Sequence, residues 1–267
     1  MDEAEAVYAA APAVASPARG ESAGRTAHDE GDDRTRRPPL GPSPPSRPRP
    51  VSGKAQPSPI DDARALAASA ASIAELRAAV DGFTGCGLKA TARNTVFSDG
   101  ADDAQVLLIG EAPGKDEDEQ GKPFVGRSGQ LLDRMLATIG LDRRKNLLIS
   151  NTIFWRPPGN RPPTQGEFAA CMPFCERLIE LAQPKLLILA GGVAAQTVLK
   201  REDGVMRMRG RRLTYNREGR PLSVNTLVML HPAYLLRRPQ EKRLAWGDLL
   251  LLESWLTELG VERVSHL

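Results

Sequence analysis

The chain has 267 residues, a formal net charge of +3 and 41% hydrophobic residues, which is enough for one domain with a sizeable core. No apolar run approaches the about 20 residues that span a bilayer, which argues against a transmembrane helix and a membrane partner. The acidic start at Met1–Glu5 is unlike a cationic signal peptide, so we expect an intracellular protein.

Residues 1–59 differ in composition from the rest of the chain. They hold 11 of the 22 prolines, many Ala, Ser and Arg residues, and few large apolar side chains. Such a segment cannot bury enough apolar surface to offset the entropy that it loses on ordering. We predict that 1–59 is a disordered tail, with an unknown partner, and that 60–267 is the folded domain.

The folded domain begins with an Ala-rich segment, Asp61–Val80, that predicts a helix. Four apolar runs of strand length follow: Val106–Ile109, Leu147–Ile149, Leu186–Leu189 and Thr226–Leu230. Helix-like segments lie near 128–139, 167–182, 192–200 and 241–259. Continuous Leu, Ile and Val runs alternating with amphipathic helices indicate parallel strands that are covered on both faces. We predict an α/β fold, a three-layer α/β/α sandwich with a central, mostly parallel four-stranded sheet.

Each predicted strand is followed by glycine or by a polar residue. Gly110 and Glu111 follow the first strand, Asn151 the second, Gly191 the third and His231 the fourth. Ligands bind at the carboxyl ends of the strands in open sheets of this kind. A carboxylate, an amide, a glycine turn and an imidazole at one edge could recognise and activate a neutral heterocycle.

Structural explanations also exist for these residues. Glu111 could cap the helix that follows it, and Asn151 could satisfy backbone groups at a strand end. Phe124 could belong to the core, although its loop between two glycines favours an exposed stacking face. His231 could be a satisfied core histidine, but a proline follows it directly and fixes the backbone there. The separate explanations leave the shared location of these side chains unexplained, so we favour function.

A basic stretch lies near the C-terminus. Residues 201–243 contain eleven Lys and Arg residues against four Asp and Glu residues. Such an excess is typical of surfaces that bind polyanions, and a solvated arginine-rich hairpin explains it equally well.

Six spaced motifs carry a resemblance to a known family: Gly110–Gly114, Glu117-Asp118, Gly121–Gly126, Asn151, Arg156–Arg161 and His231–Arg237. From about residue 83 to the C-terminus the chain resembles the family 4 uracil-DNA glycosylases. The resemblance implies a monofunctional, monomeric enzyme of the bacterial cytosol, associated with the nucleoid, that acts in base excision repair. It would hydrolyse the N-glycosidic bond of uracil in single- or double-stranded DNA, releasing free uracil and leaving an abasic site.

The resemblance also implies roles for individual residues. The catalytic group comprises Glu111, Glu117 and His231. Uracil would stack on Phe124, be read along its Watson–Crick edge by Asn151, and lie against Gly110 and Ala112. The DNA contacts would come from Pro113, Gly114, Arg237 and Arg238, with Leu235 as the wedge that fills the gap left by the flipped base.

The chain departs from the family at its cysteines. The family holds a [4Fe–4S] cluster with four cysteines, and by the resemblance Phe83 and Trp155 stand at two of those positions. Cys86 and Cys171 remain, and Cys175, one helical turn further, does not complete a set of four. We expect no cluster, no other cofactor and no metal, and instead an apolar plug formed by Phe83 and Trp155.

Two alternatives belong to other functional classes. The first is a DNA-binding module of the same fold that has lost activity along with its cluster. The second is a nucleotide or sugar-phosphate enzyme that uses Gly110–Gly114 as a phosphate loop, although the Lys-Ser/Thr of a Walker motif is absent. Glu111, Phe124, Asn151 and His231 occur together, which favours the active glycosylase.

Overall fold

The computed structural model describes residues 58–264, so the predicted tail, except for its last two residues, lies outside the described residues. Six strands form one sheet in the order β1-β3-β2-β4-β6-β5. Their bounds are β1 Ser98–Gly100, β2 Val106–Gly110, β3 Leu147–Asn151, β4 Leu186–Ala190, β5 Leu213–Asn216 and β6 Ser223–Met229.

The four inner strands β3, β2, β4 and β6 run parallel, which confirms the predicted arrangement. The prediction of four strands was wrong in number, because an antiparallel strand flanks each side of this set. β1 pairs with β3, and β5 pairs with β6. These edge strands have three and four residues and carry mostly polar side chains, so neither produces an apolar run that sequence reasoning can detect.

Nine α-helices lie between residues 58 and 264: α1 Pro59–Ser69, α2 Ile73–Gly82, α3 Lys115–Gln120, α4 Arg127–Ala137, α5 Gln165–Ala182, α6 Gly192–Leu199, α7 Val205–Met208, α8 Pro232–Arg237 and α9 Lys242–Glu258. The single helix predicted over Asp61–Val80 is in fact two. Ser72 ends the break between them, since its side chain accepts a hydrogen bond from the Glu75 N–H and caps α2.

Alternate side chains of β2 enter two separate cores, one on each face of the sheet. Leu107 and Ile109 pack with residues of α1, α2, α5 and α6. Val106 and Leu108 pack with residues of α4 and α9 on the opposite face. The three-layer α/β/α sandwich is therefore confirmed, with the carboxyl ends of the four parallel strands at one edge of the sheet. Within residues 58–264 no helix is long and apolar enough to cross a membrane.

Candidate active site

Three predicted site residues meet at Gly110, the last residue of β2. Gly110 pairs with Asn151 at the end of β3. A β-carbon added at Gly110 would lie 2.5 Å from both Asn151 Oδ1 and Phe124 Cζ. Only glycine leaves room for both side chains, so Gly110 is needed for their close approach.

Phe124 is held in place by an unusual backbone conformation. Its φ is +53°, in the left-handed region, which is energetically unfavourable for every residue that has a side chain. Gly129 of α4 allows this geometry, because a β-carbon there would overlap the backbone of Phe124. The Phe124 side chain is only 4% exposed, so the expectation of an exposed stacking face was wrong. The ring instead lines the interior of the site, with its centroid 5.6 Å from that of His231.

His231 caps the start of α8 at the end of the neighbouring strand β6. Its Nδ1 accepts a hydrogen bond of 3.1 Å from the Ala233 N–H, so the neutral ring carries its proton on Nε2. Burial of the ring, and secondarily the charge of Arg237, lowers the pKa of His231 to about 4. Gly191 lies against the ring, with Cδ2 of His231 3.5 Å from where a β-carbon would stand. His231 is therefore a neutral Nε2–H donor at physiological pH.

The side-chain oxygen of Asn151 lacks a hydrogen-bond partner in the described part of the chain. The residue is 1% exposed, and this oxygen, Oδ1, is buried. Leaving a buried polar group unsatisfied costs about 1–3 kcal/mol. A bound molecule with an N–H or O–H group at this point would satisfy the oxygen, which makes the site suited to a donor-bearing ligand.

The two carboxylates assigned to catalysis occupy different environments. Glu111 is half-buried directly after β2, and its backbone oxygen accepts hydrogen bonds from the Ile153 N–H and from Thr152 Oγ1. Glu117 is buried, and it accepts from the N–H groups of Gly114, Val125 and Gly126. It thereby ties the turn after β2 to the loop that carries Phe124.

Arg143 fixes the same loop from the other side. Its guanidinium donates to the carbonyl oxygens of Pro123 and Phe124 at 2.9 and 2.8 Å. Asp99 and Asp133 hold the guanidinium through ion pairs of 3.1 and 2.8 Å. The arginine side chain is only 13% exposed, so this contact is well shielded from water. Sequence reasoning missed Arg143 because no motif marks it.

The residues assigned to DNA contacts are only partly accessible. Pro113 is buried, and the half-buried Gly114 caps the start of α3. Ala112, which was assigned to uracil, is half-buried. Arg237 and Arg238 are exposed at the end of α8.

Leu235 is completely buried against Leu131, Leu230 and Ala245, so its assignment as a wedge was wrong. Leu236, which is 36% exposed, lies one residue further along α8 and about 100° around the helix. Residue 236, unlike residue 235, can therefore reach a partner.

The two aromatic residues at the cysteine positions pack together in the larger core. The Phe83 and Trp155 ring centroids are 6.4 Å apart, and Phe83 also packs on Phe174 at 5.1 Å. Cys86 and Cys171 are hydrogen-bonding neighbours in the same core, and this contact lowers the pKa of Cys86 to about 7. Burial raises the pKa of Cys175, the third thiol.

These side chains do not fit a cluster that needs four cysteine ligands. In the part of the chain that the structure describes, no group of three or more His, Cys, Asp and Glu side chains is placed to hold a metal.

Comparisons with known proteins show which family the chain is similar to. Residues 97–250 match the family model of the uracil-DNA glycosylase superfamily. The chain is 39% identical over 159 residues to a type-4 uracil-DNA glycosylase of Archaeoglobus fulgidus, covering 58% of this chain and 78% of the relative. It is 33% identical over 180 residues to the type-4 uracil-DNA glycosylase of Thermotoga maritima, covering 66% and 91%. A similar match, 34% over 158 residues, is to that of Pyrobaculum aerophilum, covering 58% and 79%.

Proposed function

The chain belongs to the uracil-DNA glycosylase superfamily and to its type-4 family, and we infer that it excises uracil from DNA as a monofunctional hydrolase. The observation that carries the assignment to this site is the unpartnered Oδ1 of Asn151, beside the Phe124 ring and the neutral His231. Uracil N3–H is a donor suited to that oxygen, and the Asn151 amide N–H can donate to uracil O4.

A base inside a duplex cannot reach this enclosed site. The nucleotide must rotate out of the stack, at a cost of a few kcal/mol that is lower for a single strand or a mismatch. Leu236, the exposed neighbour of the buried Leu235, is suited to fill the gap that the base leaves. Arg237 and Arg238 directly follow it and are suited to contact phosphates.

The bond between uracil N1 and the sugar C1′ then breaks, and its electron pair passes to the uracil ring. His231 Nε2–H donates a hydrogen bond to uracil O2, where negative charge develops. The half-buried Glu111 stabilises the cationic sugar or orients the water that attacks C1′. Glu117, whose carboxylate is occupied by three backbone N–H groups, acts by holding the two loops in register.

One chain supplies every residue of this proposed site, so a monomer suffices for activity. By the resemblance, a related covalent branch would carry a histidine in the segment Arg156–Pro163, and no histidine occurs there in this chain. We therefore propose that free uracil and an intact abasic strand are the products, made in a bacterial cytosol where genomic DNA is found. The inactive DNA-binding module is not favoured, because the site retains its catalytic side chains together.

The assignment is tested with single-stranded and duplex oligonucleotides that each carry one uracil. After incubation with purified protein, alkali cleaves the strand wherever a base has been removed. Strand scission only at uracil, and only after alkali treatment, supports the monofunctional enzyme. Binding without scission by folded protein contradicts it and favours the DNA-binding module. Scission before alkali treatment contradicts the monofunctional assignment.

The contacts of Arg143 with the carbonyl oxygens of Pro123 and Phe124, which we call the clamp, are expected to contribute to activity. Arg143→Lys keeps the charge but cannot donate to two carbonyls and two carboxylates in one plane. We expect kcat to fall about 10-fold with a smaller change in KM, because a shift of the ring misplaces the bound base.

Arg144→Lys is the matched control, since Arg144 is 83% exposed and pairs at the surface with its near neighbour Asp142. An unchanged kcat for Arg143→Lys, or an equal loss for both variants, contradicts the role of the clamp.

We also propose that the protein works without an iron–sulfur cluster. The packing of Phe83 on Phe174 and Trp155 supports this proposal, because these side chains occupy the core beside Cys86 and Cys171. These aromatic contacts join three parts of the chain: Phe83 before β1, Trp155 after β3 and Phe174 in α5. In this proposal they stabilise the fold in place of a cluster.

Protein purified anaerobically is accordingly expected to contain less than about one tenth of an iron per chain and to show no broad absorbance in the blue. The double variant Cys86→Ala/Cys171→Ala is expected to retain uracil excision, with only a packing penalty of a few kcal/mol in stability. Stoichiometric iron in the wild-type protein would contradict the proposal directly. Loss of activity by a folded double variant would contradict it as well.

A further inference from the structure

The basic stretch 201–243 divides into two parts in the structure. Several of its arginines are neutralised by ion pairs: Arg201 with Asp203, Arg209 with Asp248, Arg212 with Glu258, and Arg217 with Glu176 and Glu180. In contrast, six exposed cations of the stretch form no ion pair within residues 58–264: Arg207, Arg211, Arg220, Arg238, Lys242 and Arg243. Unpaired exposed cations are available to a polyanion in a way that paired ones are not.

Four of these cations lie in or next to three helices: Arg207 in α7, Arg238 directly after α8, and Lys242 and Arg243 at the start of α9. Val205 of α7, Tyr234 and Leu235 of α8, and Leu244 and Ala245 of α9 share one small apolar cluster with Leu230, the residue before His231. Arg209, just after α7, also donates to the Leu244 carbonyl of α9. The helices α7 and α8 and the start of α9 therefore pack together beside Leu230, next to the strand end that carries His231.

An exposed aromatic residue lies among these cations. Trp246 of α9 is 51% exposed, whereas Ala245, Asp248 and Leu249 of the same helix are buried. Residues three and four apart are neighbours on a helix surface, which places Arg243 and Lys242 beside the indole. Bases without a partner stack on such side chains, while adjacent cations contact the phosphates.

We propose that Arg207, Lys242, Arg243 and Trp246 form a platform that binds the DNA flanking the flipped nucleotide, with Trp246 stacking on an unpaired base. The proposal rests on the proposed function, since it requires DNA to be bound at His231. Complementary charge selects DNA as the occupant, because the three cations of the platform have no ion-pair partner in the described part of the chain. The platform adds affinity for the strand and takes no part in bond cleavage.

The test compares single-stranded uracil substrates of two lengths, about 5 and about 30 nucleotides, since a binding groove of this kind covers about 4–16 nucleotides. Wild-type protein is expected to show a higher kcat/KM on the long substrate. Trp246→Ala is expected to lower kcat/KM by about 5-fold or more on the long substrate and to leave the short one unchanged. Lys242→Ala/Arg243→Ala is expected to reduce the slope of log affinity against log salt by about 1.4, since each phosphate that a side chain neutralises on a single strand contributes about 0.7.

Two variants away from the platform serve as matched controls. Arg220→Ala removes an exposed cation from the β5–β6 turn, at the amino end of β6 and so at the opposite edge of the sheet. Leu66→Ala removes an exposed apolar side chain from α1. Both are expected to behave as wild type on either substrate.

The outcomes separate failure of the platform from failure of the proposed function. Excision by wild-type protein with no length-specific loss for Trp246→Ala, or with an unchanged salt slope for Lys242→Ala/Arg243→Ala, overturns the platform alone. The first result would indicate that Trp246 faces a protein partner or solvent instead. Absence of uracil excision on both substrates by wild-type protein overturns the proposed function, and the platform with it.

Discussion

The His231→Ala protein is expected to excise uracil about 10²- to 10³-fold more slowly than the wild type under single-turnover conditions. The uracil ring leaves as an anion, and a fixed donor in an enclosed site stabilises that charge more than water does. His231 is prepared for this task because Ala233 N–H occupies its Nδ1 and directs the remaining proton to Nε2. Alanine removes the donor and leaves a space in which water must reorganise during the reaction.

The pH dependence of the rate tests the protonation state of His231. The pKa of about 4 predicts a rate that stays level from about pH 8 down to about 5.5 with respect to this group. The same lowered pKa makes the free energy of unfolding depend on pH. The contribution of neutral His231 to that free energy is fully present above about pH 6.5, the pKa of an unperturbed histidine. It is lost as pH falls from about 6.5 towards 4, since the unfolded chain takes up a proton there and the folded one does not.

A His231→Gln variant controls for the loss of a side chain, because its amide can still donate. We expect it to recover part of the rate that His231→Ala loses. Thermal unfolding curves of both variants distinguish a catalytic defect from a folding defect. Activity of His231→Ala within a few-fold of the wild type removes His231 from the mechanism.

The sequence pattern predicted the parts of the site that depend on strand ends. Long apolar runs identify buried strands, and the polar residues after them lie at one edge whichever helices connect them. Gly110, Asn151 and His231 follow from this reasoning alone. Residues that act through side-chain packing do not, which is why Arg143 carries no sequence signal and is visible only in the structure.

The errors have specific physical causes. Leu235 and Leu236 are chemically identical, and only the packing of α8 against α4 and α9 decides which of them is buried. Phe124 follows a proline in a glycine-rich loop, and such a sequence pattern predicts an exposed side chain. Its left-handed backbone, held by Arg143 and admitted by Gly129, turns the ring inward. Such non-local contacts leave no periodic signal in the sequence.

Asn151→Leu is expected to lower the rate of uracil excision roughly 10- to 100-fold while leaving the protein as stable as the wild type or more stable. The activity falls because leucine has a similar branched shape but cannot pair with uracil N3–H and O4, and a bidentate pair of this kind is worth about 1–3 kcal/mol. Stability is preserved because the change removes a buried oxygen that has no partner within residues 58–264. Single-turnover rates and thermal unfolding of the same preparation measure both effects.

Opposite signs for activity and stability distinguish a recognition residue from a structural one. An asparagine that satisfied the backbone would lose stability on replacement, and activity would fall only as far as folding did. Asn151→Asp provides the second arm, because the carboxylate keeps the shape and the acceptors but loses the donor to O4 and repels the uracil anion. Lower stability of Asn151→Leu together with unimpaired excision by the folded fraction would contradict the recognition role. The unpartnered Oδ1 of Asn151 thus lowers the stability of the free protein and, in the proposed function, serves the recognition of uracil.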